Sequence, residues 1–256
     1  MTEPRMIDVG AWTGDWNTLS VPGDAATVRQ SLMGCGVGQI HMASLRTVWG
    51  HNLHLGNEDA YAAADRFEEI QPVPLLDPTL ATWPEELARA ADREDVDIIR
   101  WLPSYSGFKL TDPCALACAA AVQEAGRVLS IQMRIEDERR QHALARVPDV
   151  PLADIIAFAH RHPSLRVIIG GAGWSPILAA AKDILAGEWI YAETSQMDGV
   201  DSMRLIVEAG LGARLLFATH APLFMPLAGL ARIIIDLESE PVEAILAGNA
   251  RRMLES

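Results

Sequence analysis

Lysine is nearly missing from this chain: of its twenty-one basic residues only Lys109 and Lys182 are lysines. A mechanism built on a Schiff-base amine therefore has two candidates. Cysteine is scarce and odd in number. Cys35, Cys114 and Cys118 show no metal-finger spacing, and the last two, one helical turn apart in an alanine-rich stretch, read as small core residues. Thirty-four acids leave a net charge of −13, so the basic face of a nucleic-acid binder is absent. No uncharged apolar run reaches the ~18 residues of a membrane span. The opening MTEPRMIDVG has no apolar signal core, so a cytoplasmic location away from membranes is expected. Three motifs are also missing: a Gly-x-Gly-x-x-Gly after the first strand, a phosphate loop ending in Gly-Lys-Ser/Thr, and a Gly-x-Ser-x-Gly elbow.

What is present is a packed globular composition, with 50% hydrophobic and 21% charged residues over 256 positions. Short, nearly continuous apolar runs recur, as in strands buried on both faces. Eight are readable: Met6–Ala11, Gly38–Ala43, Ile70–Leu76, Asp97–Leu102, Val128–Met133, Val167–Gly171, Trp189–Glu193 and Arg214–Ala218. Helical signals separate them. Thr82 with Glu85 forms a capping-box pattern around Pro84, while Asp112 before Pro113 and Ser175 before Pro176 place a cap ahead of a first-turn proline. Gly126, Gly187 and Gly210 stand where helices should stop. Eight strand–helix units of about thirty residues consume the whole length, which fits a (β/α)8 barrel better than an open sheet. The expectation is one α/β domain spanning residues 1–256.

In such a barrel, function sits where the strands end. Those positions carry Asp8 to Trp12, then His41 and Ser44 with a loop holding Trp49, His51 and His54, and then Asp77. The fourth carries Arg100, Trp101 and Tyr105, and the fifth Gln132, Arg134, Glu136, Asp137 and Glu138. The last three carry Gly170 to Trp174, Glu193 to Gln196, and Thr219 with His220.

This layout resembles the amidohydrolase superfamily, in the branch of metal-dependent hydrolases and aromatic-acid decarboxylases, over nearly the full chain. Ile7-Asp8 stands where that family opens with Ile-Asp-x-His-x-His. Asn57-Glu58, Arg66-Phe67 and Leu76 to Thr79 resemble its second and third units, and Ile99 to Pro103 with Tyr105 its fourth strand. Val167 to Gly170 with Gly173 resembles its sixth strand, Leu216 to Pro222 its eighth, and Ile245 to Arg252 its closing Gly-Asn-Ala-x-Arg helix. The resemblance implies a barrel that holds a zinc-like ion on histidines and an aspartate, where a bound water becomes a nucleophile. The ligand positions depart from this. They fall on Gly10 and Trp12 in the first strand, Gln132 in the fifth, Gly171 in the sixth, and His220 in place of the aspartate. The family's metal set is therefore absent as written, and no cofactor is expected unless a divalent metal site has been rebuilt.

The remaining polar residues define the candidates. His220, at the eighth strand end, is a candidate general base, with Glu136, Asp137 and Glu138 as carboxylate partners whose ionisation depends on Arg134 or a nearby tryptophan. Arg134 or Arg100 would hold an acidic group on the substrate. Gln132, Glu193 and the aromatics Trp12, Trp101 and Tyr105 would line the pocket. His160 and His162 close a helix, where a cation complements the dipole. Three functions follow: a metal-free hydrolase or lyase acting on a small, carboxylated molecule; a non-catalytic barrel that binds or assembles; and a hydrolase with a metal rebuilt on His220, Glu193, His51 and His54. The expected partner is a small-molecule substrate, with self-association into a homo-oligomer left open.

Overall fold

The computed structural model describes residues 6–18, 20–49 and 52–255; His51 lies outside them. Eight parallel strands run in chain order: β1 (Ile7–Thr13), β2 (Gln39–Ser44), β3 (Ile70–Pro72), β4 (Ile98–Trp101), β5 (Val128–Gln132), β6 (Val167–Gly170), β7 (Ile190–Glu193) and β8 (Leu215–Leu216). Backbone bonds carry the ladder across both seams. Leu76 N donates to Arg100 O and Arg100 N to Pro74 O between β3 and β4, and Val9 N donates to Phe217 O between β8 and β1. The eight-unit barrel expected from the apolar runs is thus the architecture observed, with longer helices α1 (Ala25–Gly34), α2 (Leu53–Arg66), α3 (Trp83–Ala91), α4 (Pro113–Glu124), α5 (Leu152–Arg161) and α6 (Pro226–Asp236) outside.

Period-two alternation builds two cores from the same strands. Ile7, Ile98, Val128, Ile168 and Leu216 point into the barrel. Ile40, Ile99, Ile131, Ile169 and Ile190 point out beneath the helices, against Leu87, Val122 and Phe158. Two strands are shorter than their apolar runs by three residues or more. β3 ends at Pro72, because Pro72 and Pro74 have no N–H to give. β8 ends at Leu216, because Phe217 N turns to Ile245 O and Ala218 N to the Thr194 hydroxyl. β1 is longer than expected and carries a bulge, its register slipping between Asp8 and Ala11.

Several local signals resolve differently in three dimensions. Thr82 sits at the N-cap of α3 without a side-chain bond, so the capping box does not form; Glu86 instead faces inward to Asn57. Asp112 accepts from Lys109 N rather than from α4. The helix expected to start after Ser175 begins at Trp174 on Gly173. Gly126 and Gly210 do adopt the left-handed conformation that ends helices. Cys118 is buried in the outer core as expected. His162 is not a dipole-complementing cation: burial lowers its pKa, and its ring packs 4.6 Å from Phe158.

Asn57 replaces the ladder that the prolines break. Its amide donates to Leu75 O and accepts from Leu75 N, at 3.0 and 2.9 Å, and also donates to Glu86. Asn57→Ala leaves a buried N–H and C=O unpaired, and urea denaturation is expected to show a loss of about 2–4 kcal/mol. A loss below about 0.5 kcal/mol would remove Asn57 from this role.

Candidate functional site

The bulge in β1 decides the site. Gly10 sits in it, tight against β8; a Cβ there would lie 2.7 Å from the Ala218 Cβ. The slipped register turns Trp12 into the barrel, where it is fully buried. Its indole N–H donates to His220 Nδ1 at 3.2 Å, and the Arg100 guanidinium lies 4.6 Å over its ring. The β4 register puts Arg100 inside the barrel and Trp101 outside. Arg100 donates to Val9 O at 2.9 Å, while Trp101 packs beneath the helices on Phe108 and Phe158. Neither therefore stands at an open mouth, which corrects their expected role in substrate binding. Trp16, Trp49 and Tyr105 form a second aromatic tier, with successive centroids 6.0 and 5.2 Å apart.

His220 is buried beside this plug with a left-handed backbone (φ 58°), uncommon outside glycine. Both ring nitrogens are engaged. Nδ1 accepts from Trp12, and Nε2–H donates to Ile135 O at 2.7 Å. Burial and the Arg100 charge push its pKa down to about 3, so the imidazole is neutral at physiological pH. His41, which sequence reasoning left at a strand end, also lies inside the barrel, pushed to about 3 by burial and Arg100. Asp8 is a further interior ionisable group. Burial raises its carboxyl to about 6 despite bonds from Gly10 N, Thr219 N and the Thr219 hydroxyl. The missed signal was a charge or imidazole within an apolar strand run, where the inward face has no water to offer.

The fifth strand end divides into two parts. Gln132 donates to Arg134 O, and Gln196 donates to Ile135 O. Arg134 reaches Gln196 at 2.8 Å and Asp149 at 3.0 Å. Glu136 is buried and accepts from the Thr18 hydroxyl at 3.0 Å. These residues gather around the segment that caps His220. Asp137 and Glu138 do not join them. Asp137 caps its own turn and pairs with Arg139, which holds it at about 2, and Glu138 is exposed beside Arg146. Both belong to a solvated charged loop, which corrects their expected catalytic role. Glu193 is committed to Gly171 N, Ser195 N and the Ser195 hydroxyl.

These residues do not fit a divalent metal. Gly10 has no room for a side chain, and Trp12 fills the space with an indole. The Gln132 amide lies against Gly171, where a Cβ would meet its Nε2 at 2.7 Å. His220 has no lone pair to spare. The rebuilt set fares no better: His54 sits on α2 with Glu86 and Arg89, away from Glu193. Among the described residues no three His, Cys, Asp or Glu side chains gather to hold an ion.

The interior groups oppose one another in pH dependence. Asp8, raised when folded, contributes stability that is present below about 4 and lost as pH rises through about 6. His41 and His220, depressed when folded, contribute stability that is present above about 6.5 and lost as pH falls toward 3. With two imidazoles against one carboxyl, urea midpoints are expected to drop from pH 7 to pH 5, and to drop more steeply in Asp8→Asn. A shallower drop in that variant would contradict the raised carboxyl.

Comparison with known proteins agrees with this frame. The fold matches 5-carboxyvanillate decarboxylase from Sphingomonas paucimobilis with a TM-score of 0.70 and 13% identity, covering 99% of each chain. It also matches 2,6-dihydroxybenzoate decarboxylase (0.70, 12%, 98% and 99%) and 4-oxalomesaconate hydratase from Rhodopseudomonas palustris (0.66, 14%, 98% and 95%). At such identities the likeness is one of fold. No match was found among curated proteins. Among the described residues no helix is long and apolar enough to cross a membrane. The amidohydrolase family model matches residues 40–255, and the chain belongs to the amidohydrolase family.

Proposed function

We propose that this chain uses the amidohydrolase barrel as a binding or assembly scaffold, with the catalytic centre of the fold filled by its own side chains. The observation that carries this reading is Trp12, fully buried, hydrogen-bonded to His220 and covered by Arg100. A metal and its substrate would both need the volume that this indole occupies. A neutral His220 with both nitrogens bonded has no free lone pair with which to take a proton at neutral pH. The similar folds include a manganese-bound variant of 5-carboxyvanillate decarboxylase from Novosphingobium aromaticivorans, and metal-dependent chemistry of that kind is what this centre is expected to lack.

A second reading, a metal-free hydrolase or lyase on a small carboxylated molecule, is favoured by the gathering of Gln132, Arg134, Glu136 and Gln196 around Ile135. In it His220 carries the proton, Glu136 is its carboxylate partner, and Arg134 anchors a substrate carboxylate. This reading requires Trp12 and the aromatic tier to move aside.

One set of measurements separates the two. After incubation with manganese or zinc and removal of loose ions, the purified chain is expected to retain less than about a tenth of an equivalent. It is also expected to release no carbon dioxide from 5-carboxyvanillate or 2,6-dihydroxybenzoate. Stoichiometric metal with turnover overturns the scaffold reading. Saturable binding of an aromatic carboxylate without metal, weakened about tenfold or more by Arg134→Ala, would favour the metal-free enzyme.

A further inference from the structure

Helix α6, which follows β8, carries an apolar face that packs on nothing among the described residues. Pro226, Leu230 and Ile233 face inward and are buried. On the other side Leu227 is 58% exposed, Ile234 52% and Ile235 79%, and Met225 at the N-cap is 71% exposed. At 3.6 residues per turn Leu227, Ala231 and Ile234 fall on one line, with Ala228 and Ile235 beside it. The stripe therefore runs the full length of the helix, about 16 Å. No charge interrupts it. Arg232, the only cation of the helix, turns aside to Asp198 and Thr194 O. Met225 and Pro226 join the stripe to a groove of about 370 Å³ walled by Val21, Pro22, Val28 and Phe224.

We propose that this face is a two-fold dimer interface, occupied by a second copy of the chain with the two α6 helices antiparallel. The area suffices. The four large side chains expose on the order of 500 Å² per copy, a total near the ~1,000 Å² at which a specific interface holds. The shape is self-complementary, since an apolar ridge lies beside an apolar groove and a two-fold axis sets each ridge against the other copy's groove. The charge fixes the direction. At the N-terminal end of the stripe the exposed Arg140 guanidinium lies 5.4 Å from the Phe224 ring centroid. At the other end stand Asp236, Glu238 and Glu240. Antiparallel packing brings each Arg140 to the acidic end of the other copy, twice per dimer, whereas parallel packing stacks acid on acid. The stripe is uncharged, so the −13 of each copy acts mostly beyond the ~8 Å screening length of physiological salt. The proposal rests on surface residues alone, and a catalytic barrel would carry it equally.

Sedimentation equilibrium of the full chain tests it, at up to about 50 micromolar in physiological salt. The mass of two copies is expected, and Leu227→Asp with Ile235→Asp is expected to give the mass of one with an unchanged far-ultraviolet circular dichroism spectrum. Because that variant could fail to fold, a charge series stands beside it. Arg140→Glu is expected to weaken the dimer about tenfold or more, and adding Glu238→Arg and Glu240→Arg to restore it to within about threefold. A monomeric wild type, or a dimer indifferent to the Leu227 and Ile235 changes, overturns the proposal. A dimer broken by those changes but indifferent to Arg140→Glu overturns the antiparallel orientation.

Discussion

The indole of Trp12 is the part on which the rest of the barrel mouth depends. It is fully buried inside the barrel near the end of β1, and its neighbours are arranged to meet it. The bulge at Gly10 turns it inward, Arg100 stacks on its face, and His220 takes its N–H in a left-handed backbone conformation. A large apolar ring in this position removes water from the interior polar layer. Every charge there must then find a protein partner or change its protonation state.

That layer shows how the protein meets the demand. Two imidazoles sit near one guanidinium, and both lose their proton affinity rather than share its charge. A carboxyl sits among them and moves the other way, toward the neutral form, because burial outweighs three hydrogen bonds. Glu193, the other interior carboxylate, is held by two backbone N–H groups and a hydroxyl. His220 and Glu193 are saturated, with their donors and acceptors directed at fixed partners, whereas Arg100 Nε and Nη1 and His41 Nδ1 in the same layer meet no hydrogen-bond partner among the described residues. Catalysis asks for a group left poised for a reacting atom, which neither His220 nor Glu193 is. In the scaffold reading we propose, the family fold is kept while its reactive centre is replaced by packing, as expected when function resides in a site that a fold can carry or lose.

The outer surface shows a different economy. Most helices expose mixed charges. α4 instead hides a small-residue face against the outside of the barrel, and α6 alone among the longer helices displays isoleucines to solvent at its far end. While Trp12 fills the interior of the barrel, α6 leaves an apolar stripe uncovered on its side.

How much of this was legible in the residues follows from the range of each force. Strand and helix units were readable because apolar periodicity is local, and the eight runs fall on the eight strands with ends differing by a few residues. The prolines that shorten β3 were visible, but Asn57's repair of it was not, since it joins positions 18 residues apart. The absence of first-strand histidines was legible at Gly10 and Trp12, because those side chains carry no ligand atom whatever the fold does. Direction was not legible. Trp12 and Trp101 look alike as tryptophans at strand ends, yet one plugs the barrel and the other lies beneath the helices, because a bulge shifts β1 by one register and a slip of one reverses a side chain. Arg100 and Arg134 were equal candidates until β4 placed one of them inside. Among Glu136, Asp137 and Glu138, adjacent in sequence, only contact with Thr18 distinguished the buried acid from the solvated ones. By itself the sequence determined the barrel and the missing ligands, through local pattern and the chemistry of single side chains. Only the tertiary structure decided which polar residues meet, because that depends on register and on contacts between residues far apart in the chain.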